Sequence, residues 1–263
     1  MVVLASLPPS KTTMFSRLLL FTITGFLAAH MLAVETKEQT FHGKRYLVTT
    51  VDLGKESLQL FLGDGQGKYF NNFENIDRWL AERKRKLVFA MNAGMFHPGF
   101  APVGLFVDHG RTIGKLNLAN DEGNFFLKPN GVFAITENGA SVIESSRFPA
   151  LAAVGGIEKV QTATQSGPLL VIDGRFHPAF REGSDSRLFR NGVGVISPKR
   201  VVFAISNEPV NFHEFARLFR DGLGCANALF LDGTISSLYT IEPRIHLIRF
   251  PLGPIIGIVA PLE

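Results

Sequence analysis

The 263-residue sequence contains very little cysteine, tryptophan and tyrosine. Its one cysteine, Cys225, cannot form an intramolecular disulfide, which excludes a disulfide scaffold and leaves stability to an apolar core. We interpret Cys225 itself as a small buried hydrophobe. One Trp and three Tyr stand against 24 Phe, so most aromatic side chains lack a polar group and are expected inside that core. Charged residues make up 19% of the chain and apolar residues 46%, which excludes a disordered protein.

The sequence also lacks the common motifs for nucleotides and metals. There is no Walker A motif, Rossmann glycine pattern, Gly-x-Ser-x-Gly elbow or His/Cys cluster, so we expect no cofactor and no metal centre. Carbonyl and carboxylate ligands leave little sequence trace, which leaves open a bound divalent cation. The net charge is only +4, and the one dense basic run, residues 83–86, follows an amphipathic stretch. We interpret this run as a solvated helix end, and we expect no nucleic-acid partner.

The chain has one long apolar run, at its N-terminus. Arg17 precedes apolar residues 18–29, and the polar segment 35–39 follows. This pattern predicts a signal peptide over residues 1–33, or an N-terminal anchor if it is not cleaved. The run is too short for a comfortable bilayer span, so a stable membrane span is expected only in the uncleaved form. We therefore expect export to the periplasm or cell envelope, with the folded domain over residues 40–263.

Past residue 40 the chain alternates short apolar runs with turn residues. Strand candidates outnumber helix candidates about four to one, without the alternation of a doubly wound fold. The prediction is one α+β domain with a mixed or antiparallel sheet and few helices. The strand candidates are residues 46–53, 57–62, 87–92, 103–107, 125–127, 132–135, 141–143, 169–172, 193–196, 201–205, 228–231 and 255–259. Helices are predicted at 72–83 and 211–220, with a third around 150–159.

The most informative segment is the apolar run 228–231 and the residues after it. The run reads as a buried strand, and it ends at Asp232, Gly233 and the small hydroxyl residue Ser236. A carboxylate at the rim of a sheet, next to a turn, can open onto a cleft and act on a ligand. The alternative is a strand-to-turn corner in which Asp232 accepts backbone N–H groups.

Two further strand ends have a similar character. The first strand, residues 87–92, ends at Asn92 and is followed by Gly94 and Phe96. Small residues here allow the backbone to approach a ligand closely, and the Asn92 amide can both donate and accept hydrogen bonds. The other segment is a turn at Gln165, Ser166 and Gly167, directly before the strand 169–172. This turn would present polar side chains and backbone N–H groups together. The structural alternative for Asn92 is a residue that only caps its strand.

Histidine and arginine candidates follow in the segment 176–195. His177 is either a satisfied loop histidine or a ligand-binding residue. Arg190 lies directly before an apolar strand, where its planar guanidinium could hold a phosphate diester through two parallel hydrogen bonds. Arg187 is the competing candidate for that role. After the next strand, Glu208 could cap the second helix or face the site.

Together these segments resemble the phosphodiester glycosidase domain family over about residues 45–260. The pattern consists of an Asn-Gly-Gly-x-Phe-like loop at 92–96, Asn-Gly-x-Phe at 130–133, Gln-Ser-Gly-Pro-Leu at 165–169, Arg-x-x-x-Gly at 190–194, and Leu-Asp-Gly-Gly-Gly-Ser at 231–236. This chain departs from the pattern at Ala93, Thr234 and Ile235, where the family has glycine. Bulkier residues there predict a narrower or reshaped pocket.

The resemblance implies a hydrolase that cleaves a sugar-1-phosphate diester at the glycosidic C–O bond, acting on an envelope glycan or glycolipid. It implies that Arg190 stabilises the phosphate and that Asp232 lies near the oxocarbenium-like centre. Glu208 or Asp173 would be the second carboxylate. Two alternatives stay open at this point. One is a non-catalytic envelope module that binds glycan or phosphate, and the other is a hydrolase that uses Ser166 or Ser236.

Overall fold

The computed structural model describes residues 34–155 and 159–262. The signal peptide or anchor predicted over residues 1–33 lies outside the described residues. The described chain forms seventeen strands and three helices. The strands are β1 (Val34–Phe41), β2 (Lys44–Asp52), β3 (Leu58–Phe61), β4 (Arg85–Asn92), β5 (Phe106–Asp108), β6 (Arg111–Gly114), β7 (Gly131–Thr136), β8 (Gly139–Glu144), β9 (Val160–Ser166), β10 (Leu169–Ile172), β11 (Arg175–Phe176), β12 (Asn191–Ser197), β13 (Arg200–Ser206), β14 (Asn227–Asp232), β15 (Leu238–Ile241), β16 (Arg244–Leu247) and β17 (Ile255–Pro261). The helices are α1 (Phe73–Ala81), α2 (Phe148–Gly155) and α3 (Phe212–Arg217).

The strands form three antiparallel sheets. Sheet A has the order β1-β2-β13-β12-β14-β10-β11, sheet B has the order β16-β15-β4-β17-β3, and sheet C has the order β6-β5-β9-β7-β8. Neighbouring strands are antiparallel in all three sheets. This architecture confirms the predicted α+β class with antiparallel sheets and few helices.

One apolar core lies between the three sheets, and each sheet carries a helix on its outer face. The core contains Phe203 and Leu229 from sheet A, Phe89 from sheet B and Phe133 from sheet C, all fully buried. Outside it, α3 covers sheet A, α1 covers sheet B, and α2 begins over sheet C at Phe148. Burial of Phe-rich faces on both sides of each sheet supplies the stabilisation of this fold without a disulfide.

The helices begin at residues that satisfy their free N–H groups. Asn72 precedes α1, and its side chain accepts the N–H of Asn75 at 2.8 Å. Asn211 precedes α3 in a capping box with Glu214, in which each side chain accepts the other residue's backbone N–H. After α3 the chain continues through a π-helical turn, Leu218–Gly222. The helix predicted at 211–220 therefore consists of two consecutive turns of different type.

Three sequence expectations need correction. The polar segment 35–39, expected between signal and domain, belongs to edge strand β1, whose exposed face tolerates charge. Gln165 and Ser166, expected in a turn, are the last residues of β9, which is buried on both faces although most of its side chains are polar. Residues 125–127 are not a strand, because Asn124–Phe126 forms a short 3-10 helix.

Candidate active site

The ends of strands from all three sheets meet at one place in the molecule, where hydrogen bonds join them. β4 of sheet B ends at Asn92, β9 of sheet C ends at Ser166, and in sheet A β12 begins at Asn191 opposite the last residue of β14, Asp232. We call Asn92, Ser166, Asn191, Asp232 and Ser236 the strand-end rim. Each member is linked by a hydrogen bond or by strand pairing to another sheet or to the loop after β14.

A pair of side-chain amides joins sheet A to sheet B at this rim. The Asn92 Nδ2 donates to Asn191 Oδ1 at 3.1 Å, and the Asn191 Nδ2 donates to the Asn92 carbonyl at 2.9 Å. Asn92 Oδ1 accepts the backbone N–H of Ser237 at 2.8 Å. Both amides are fully buried. Since a buried amide is costly unless it is bonded, this pairing fixes the relative position of the two sheets.

The loop after β14 folds back towards its own first residues. The Ser236 N–H donates to the Gly233 carbonyl at 2.8 Å, and the Ser236 hydroxyl lies within hydrogen-bond distance of that same carbonyl. The hydroxyl is also 3.4 Å from Asn191 Oδ1. Ser236 is completely buried, so it shapes the loop and is not positioned as an exposed nucleophile.

Asp232 is the ionisable group of the rim. Burial raises the pKa of its carboxyl to about 7, against the opposing effect of one hydrogen bond from the Gly233 N–H. No ion pair to Asp232 occurs among the residues that the structure describes. A carboxyl group with a pKa near 7 can take up or release a proton at neutral pH, which is the property that acid–base catalysis requires, and its ionised form can stabilise a nearby positive charge.

Strand β9 contributes the third sheet to the rim through alternate residues. The Ser166 hydroxyl donates to the Leu231 carbonyl at 2.8 Å, and the Thr164 hydroxyl donates to the Ala93 carbonyl at 2.8 Å. A Cβ atom on Gly94 would lie 3.1 Å from Thr164 Oγ1, so glycine permits the loop after β4 to approach β9. Ser166 therefore supports the strand that carries Asp232.

Gln165 lies between Thr164 and Ser166 and points to the opposite face of β9. Its Oε1 accepts the N–H groups of Leu105 and Asn117 at 3.0 and 2.9 Å. Its Nε2 donates to the Asn117 carbonyl and to Ser145 Oγ. These bonds use its full hydrogen-bonding capacity, so the expected ligand contact by Gln165 is wrong for this structure. Gly167 is likewise a packing residue, because a Cβ there would lie 2.6 Å from the Cβ of Asn130.

Arg190 is enclosed by protein and faces away from the amide pair. Its Nε donates to the Val210 carbonyl and its Nη2 to the Ser186 carbonyl, both at 2.9 Å. The guanidinium lies 3.6 Å from the ring centre of Phe212, and burial lowers its pKa to about 10. The expected bidentate grip on phosphate needs correction. The side chain has no accessible surface, and the next residue, Asn191, points to the other face of the sheet.

The proposed second carboxylates lie away from Asp232. Glu208 accepts hydrogen bonds from Lys44 Nζ at 2.9 Å and from the Arg45 N–H at 3.1 Å, next to β2, which is three strands from β14. This spacing corresponds to about 14 Å. Asp173 lies beside Asn227 at the opposite end of β14, about 17 Å along the strand from Asp232. Neither carboxylate belongs to the rim, which corrects the sequence expectation.

The remaining candidates have structural contacts of their own. His177 is buried against Phe180, its Nδ1 accepts the Ala179 N–H, and burial holds its pKa below the usual value. Phe96 is half-buried and stacks on Phe100 within the loop after β4. Arg187, the alternative to Arg190, forms an ion pair with Glu214 at 2.6 Å.

The two departures in the loop after β14 do not have the effect that the sequence predicts. The Ile235 side chain packs against the apolar cluster beneath α1, and Thr234 is exposed. Gly233 needs no special conformation, and the nearest atom to a Cβ there would be the Phe189 carbonyl at 3.6 Å. The larger side chain at residue 235 is thus accommodated by the core of sheet B.

The sequence analysis missed the rim residue Asn191 and also Thr164, which supports the rim. Asn191 lies directly before Gly192 and an apolar run, and a polar residue at such a position is a usable signal. Thr164 gave no such signal, since its contact to the Ala93 carbonyl depends on how sheets B and C meet.

Comparison with known proteins identifies the family. The family model described as phosphodiester glycosidase matches residues 85–254, which include β4, the amide pair and Asp232. The chain belongs to the phosphodiester glycosidase family. It is 34% identical over 169 residues to the uncharacterised protein YigE of Escherichia coli K12, a match that spans 64% of this chain and 64% of YigE, just under two thirds of that protein.

Solved structures share the fold at low sequence identity. The catalytic domain of zebrafish N-acetylglucosamine-1-phosphodiester alpha-N-acetylglucosaminidase superposes with a TM-score of 0.59 at 14% identity, covering 88% of this chain and 84% of that one. A Burkholderia pseudomallei protein to which export has been ascribed superposes with a TM-score of 0.53 at 11% identity, covering 82% of this chain and 74% of that one. These likenesses concern the fold.

No helix within residues 34–155 and 159–262 is long and apolar enough to cross a bilayer. In the same part of the chain, no three His, Cys, Asp or Glu side chains are grouped so that they could hold a metal ion.

Proposed function

We propose that this protein hydrolyses a sugar-1-phosphate diester at the glycosidic C–O bond, releasing a free sugar and a phosphomonoester. Membership of the phosphodiester glycosidase family supports a hydrolase of this class. The single observation that carries the proposal is the Asp232 carboxyl group, whose pKa is raised to about 7 at a rim built from three sheets.

The chemistry requires little acid catalysis at the leaving group. A phosphomonoester leaves readily, so the difficult part of the reaction is the positive charge that develops at the anomeric carbon. An ionised Asp232 beside that carbon would stabilise this charge while a water oxygen bonds to the carbon and the C–O bond breaks with its electron pair on the phosphate oxygen. The proton that the water loses passes through solvent to the phosphomonoester, so the step balances. The half-buried position of Asp232 strengthens this interaction, because less water screens the carboxylate.

Activity should therefore depend on Asp232 in its ionised form. We expect kcat/KM to rise with pH through about 7, since the carboxyl loses its proton there. A general-acid role would give the opposite slope, with activity falling through the same range.

The test is sugar release from UDP-N-acetylglucosamine by the wild type and by Asp232→Asn. The amide nearly preserves shape and removes the charge, so we expect a loss on the order of 10²–10³ in rate, as for other preorganised electrostatic contacts. Asp173→Asn is the matched control, since Asp173 also precedes a glycine at a strand end but is exposed. Equal rates for the wild type and Asp232→Asn would remove Asp232 from the mechanism.

We further propose that the protein is exported and acts on an envelope glycan or glycolipid. The apolar run at residues 18–29 supports export, and the structural likeness to the Burkholderia protein agrees with it. Fractionation of cells that express the tagged full-length chain tests this proposal. Recovery of uncleaved protein from the cytoplasm alone would contradict it.

The rival function, a non-catalytic binding module, drew its support from Thr234 and Ile235. Because Ile235 packs into the core and Thr234 points to solvent, this support is lost. We do not propose that function. The other rival, a serine hydrolase, is also not proposed, because the Ser166 and Ser236 hydroxyls are buried and bonded to backbone carbonyls.

A further inference from the structure

A groove beside the strand-end rim combines aromatic and cationic side chains. Two adjoining cavities, of about 260 and 220 Å³, lie between the loop after β3 and helix α1 and share Lys68, Tyr69 and Trp79. The first also reaches Arg111 of β6, and the second reaches Arg78 and Arg83 of α1 and the turn after it. We call this surface the Trp79 groove.

Basic side chains slightly outnumber acidic ones in the lining of the groove, with Lys68, Arg78, Arg83 and Arg111 against Asp64, Glu82 and Asp108. Lys68, Arg78 and Arg111 are exposed, and within the described parts of the chain none of them forms an ion pair. The acidic groups nearby keep their charge and have partners of their own, of which only the partner of Glu82 is a permanent cation. Asp64 accepts the N–H groups of Gln66 and Lys68, Asp108 is 2.8 Å from His109, and Glu82 is 3.4 Å from Arg83. The groove is therefore complementary to an anionic ligand.

Aromatic side chains give the groove flat apolar surfaces. Trp79 and Tyr69 are both half-buried, and the Arg83 guanidinium lies 4.1 Å from the ring centre of Trp79. The Tyr69 ring centre is 6.0 Å from that of Phe100, which is 5.6 Å from that of Phe96. A row of rings thus extends from the groove to the loop that follows Asn92. Rings of this kind pack against the apolar faces of a ligand while their polar edges stay wet.

Strand register places the groove close to the rim. Ile255 of β17 pairs with Phe61 of β3 on one side and with Asn92 of β4 on the other. Phe61 lines the groove, so this end of it lies level with Asn92 and about 10 Å away across two strand spacings. A ligand a few sugar units long is long enough to span this distance.

We propose that the Trp79 groove binds a phosphate-bearing glycan chain and holds the polymer whose terminal or internal diester is cleaved at the rim. The cations contact the phosphates and the rings contact the sugars. This inference rests on the proposed function for its catalytic consequence, but binding to the groove can be measured without turnover.

Trp79 makes the test direct, because it is the only tryptophan in the chain and its fluorescence reports on the groove. The full-length protein is titrated with a phosphomannan and with the same polymer after its phosphate is removed. We expect the phosphomannan to change Trp79 fluorescence with an affinity that falls as salt is added, and the dephosphorylated polymer to bind about tenfold more weakly or not at all.

Charge reversal tests the cations. Lys68→Glu/Arg111→Glu should weaken phosphomannan binding about tenfold or more. The matched control is Lys37→Glu/Arg175→Glu, which makes the same charge change at exposed residues on the two edge strands of sheet A. We expect the control to bind within about twofold of the wild type. Tyr69→Ala should also weaken binding, and Tyr69→Phe should restore most of it.

Three outcomes would overturn the proposal: equal binding by the wild type and Lys68→Glu/Arg111→Glu, equal binding of phosphorylated and dephosphorylated polymer, or equally tight binding of single-stranded DNA. Turnover of UDP-N-acetylglucosamine separates this proposal from the proposed function. Binding of phosphomannan by a protein that cleaves no diester supports the binding role of the Trp79 groove and contradicts the proposed function. Turnover of UDP-N-acetylglucosamine by a protein that does not bind phosphomannan supports the proposed function and contradicts the role of the groove.

Discussion

Asp232 and Asp173 show how residue-scale surroundings decide chemistry. Both precede a glycine at the end of a strand, but Asp173 is exposed beside Arg147, whereas Asp232 is half-buried and the loss of water around it raises its pKa to about 7. The Asp-Gly dipeptide cannot distinguish these cases. The apolar run before Asp232 is what indicated burial, and the loss of hydration is what makes the carboxyl group titrate near neutrality.

The raised pKa predicts a pH-dependent stability difference. Below an unfolded-state pKa near 3.8 the carboxyl is protonated in both states; as pH rises towards 7, the unfolded chain ionises first and the native state loses relative stability. The Asp232→Asn variant has no carboxyl group to ionise at this position, so its native state does not lose stability in this way as the pH rises. At pH 8 we expect Asp232→Asn to unfold at a higher urea concentration than the wild type. Its free energy of unfolding should be about 2–4 kcal/mol larger, since each pKa unit corresponds to about 1.4 kcal/mol.

Urea unfolding of both proteins at pH 4 and pH 8 measures this difference. Asp173→Asn serves as the control and should behave like the wild type at both values. A gap between the wild type and Asp232→Asn that is the same at pH 4 and pH 8 would show that Asp232 does not titrate as a buried group.

Arg190 is a second residue whose surroundings differ from the sequence expectation. A planar guanidinium before a strand suggested phosphate, yet two of its nitrogens bind the Val210 and Ser186 carbonyls and its face covers Phe212. These contacts lie within the loop before β12 and at the start of α3. They depend on tertiary packing that the local sequence does not encode.

Replacement of Arg190 should therefore affect stability. Arg190→Lys keeps the charge but cannot serve both carbonyls in the same plane, so we expect a loss of about 1–3 kcal/mol in the free energy of unfolding. Arg187→Lys, in an exposed ion pair with Glu214, should cost less than about 1 kcal/mol. Chemical denaturation of the two variants tests this, and equal losses would contradict the assignment of Arg190 as a buried anchor.

At the scale of elements, strand β9 was not predicted from the sequence. Its residues are mostly polar, and polar runs before Gly-Pro normally indicate a turn. The structure pairs β9 with both β5 and β7 and bonds the side chains of Thr164, Gln165 and Ser166 within the protein. By contrast, α1 and α3 were predicted because their apolar periodicity and capping asparagines are local signals.

We expect Gln165 to be needed for the stability of β9 and its neighbouring loops, and not for ligand binding. Gln165→Ala would leave the N–H groups of Leu105 and Asn117 and the Asn117 carbonyl without this partner, so we expect a loss of about 2–4 kcal/mol in stability. Gln161→Ala, at an exposed position of the same strand, should change stability by less than about 0.5 kcal/mol. Calorimetric unfolding compares them. Intact stability with lost diester cleavage in Gln165→Ala would restore the ligand-binding interpretation.

At the scale of the whole molecule, the rim exists because three sheets share one core. Asn92 comes from sheet B, Ser166 from sheet C, and Asn191 and Asp232 from sheet A. The sequence could indicate which strands end in polar residues, and the order of those segments indicated the family. It could not indicate that Asn191 would bond Asn92, since the two residues are 99 positions apart. That contact follows from the packing of sheet A on sheet B.

The central claim is that the glycosidic C–O bond is cleaved, and hydrolysis in ¹⁸O-labelled water tests it most directly. UDP-N-acetylglucosamine is incubated with the wild type, and the mass of the released nucleotide is measured, because a phosphomonoester does not exchange its oxygens with water under mild conditions. Attack at the anomeric carbon predicts a nucleotide without label, and a product that Asp232→Asn forms far more slowly. Label in the nucleotide phosphate, which means P–O cleavage, or the absence of any product would contradict the account.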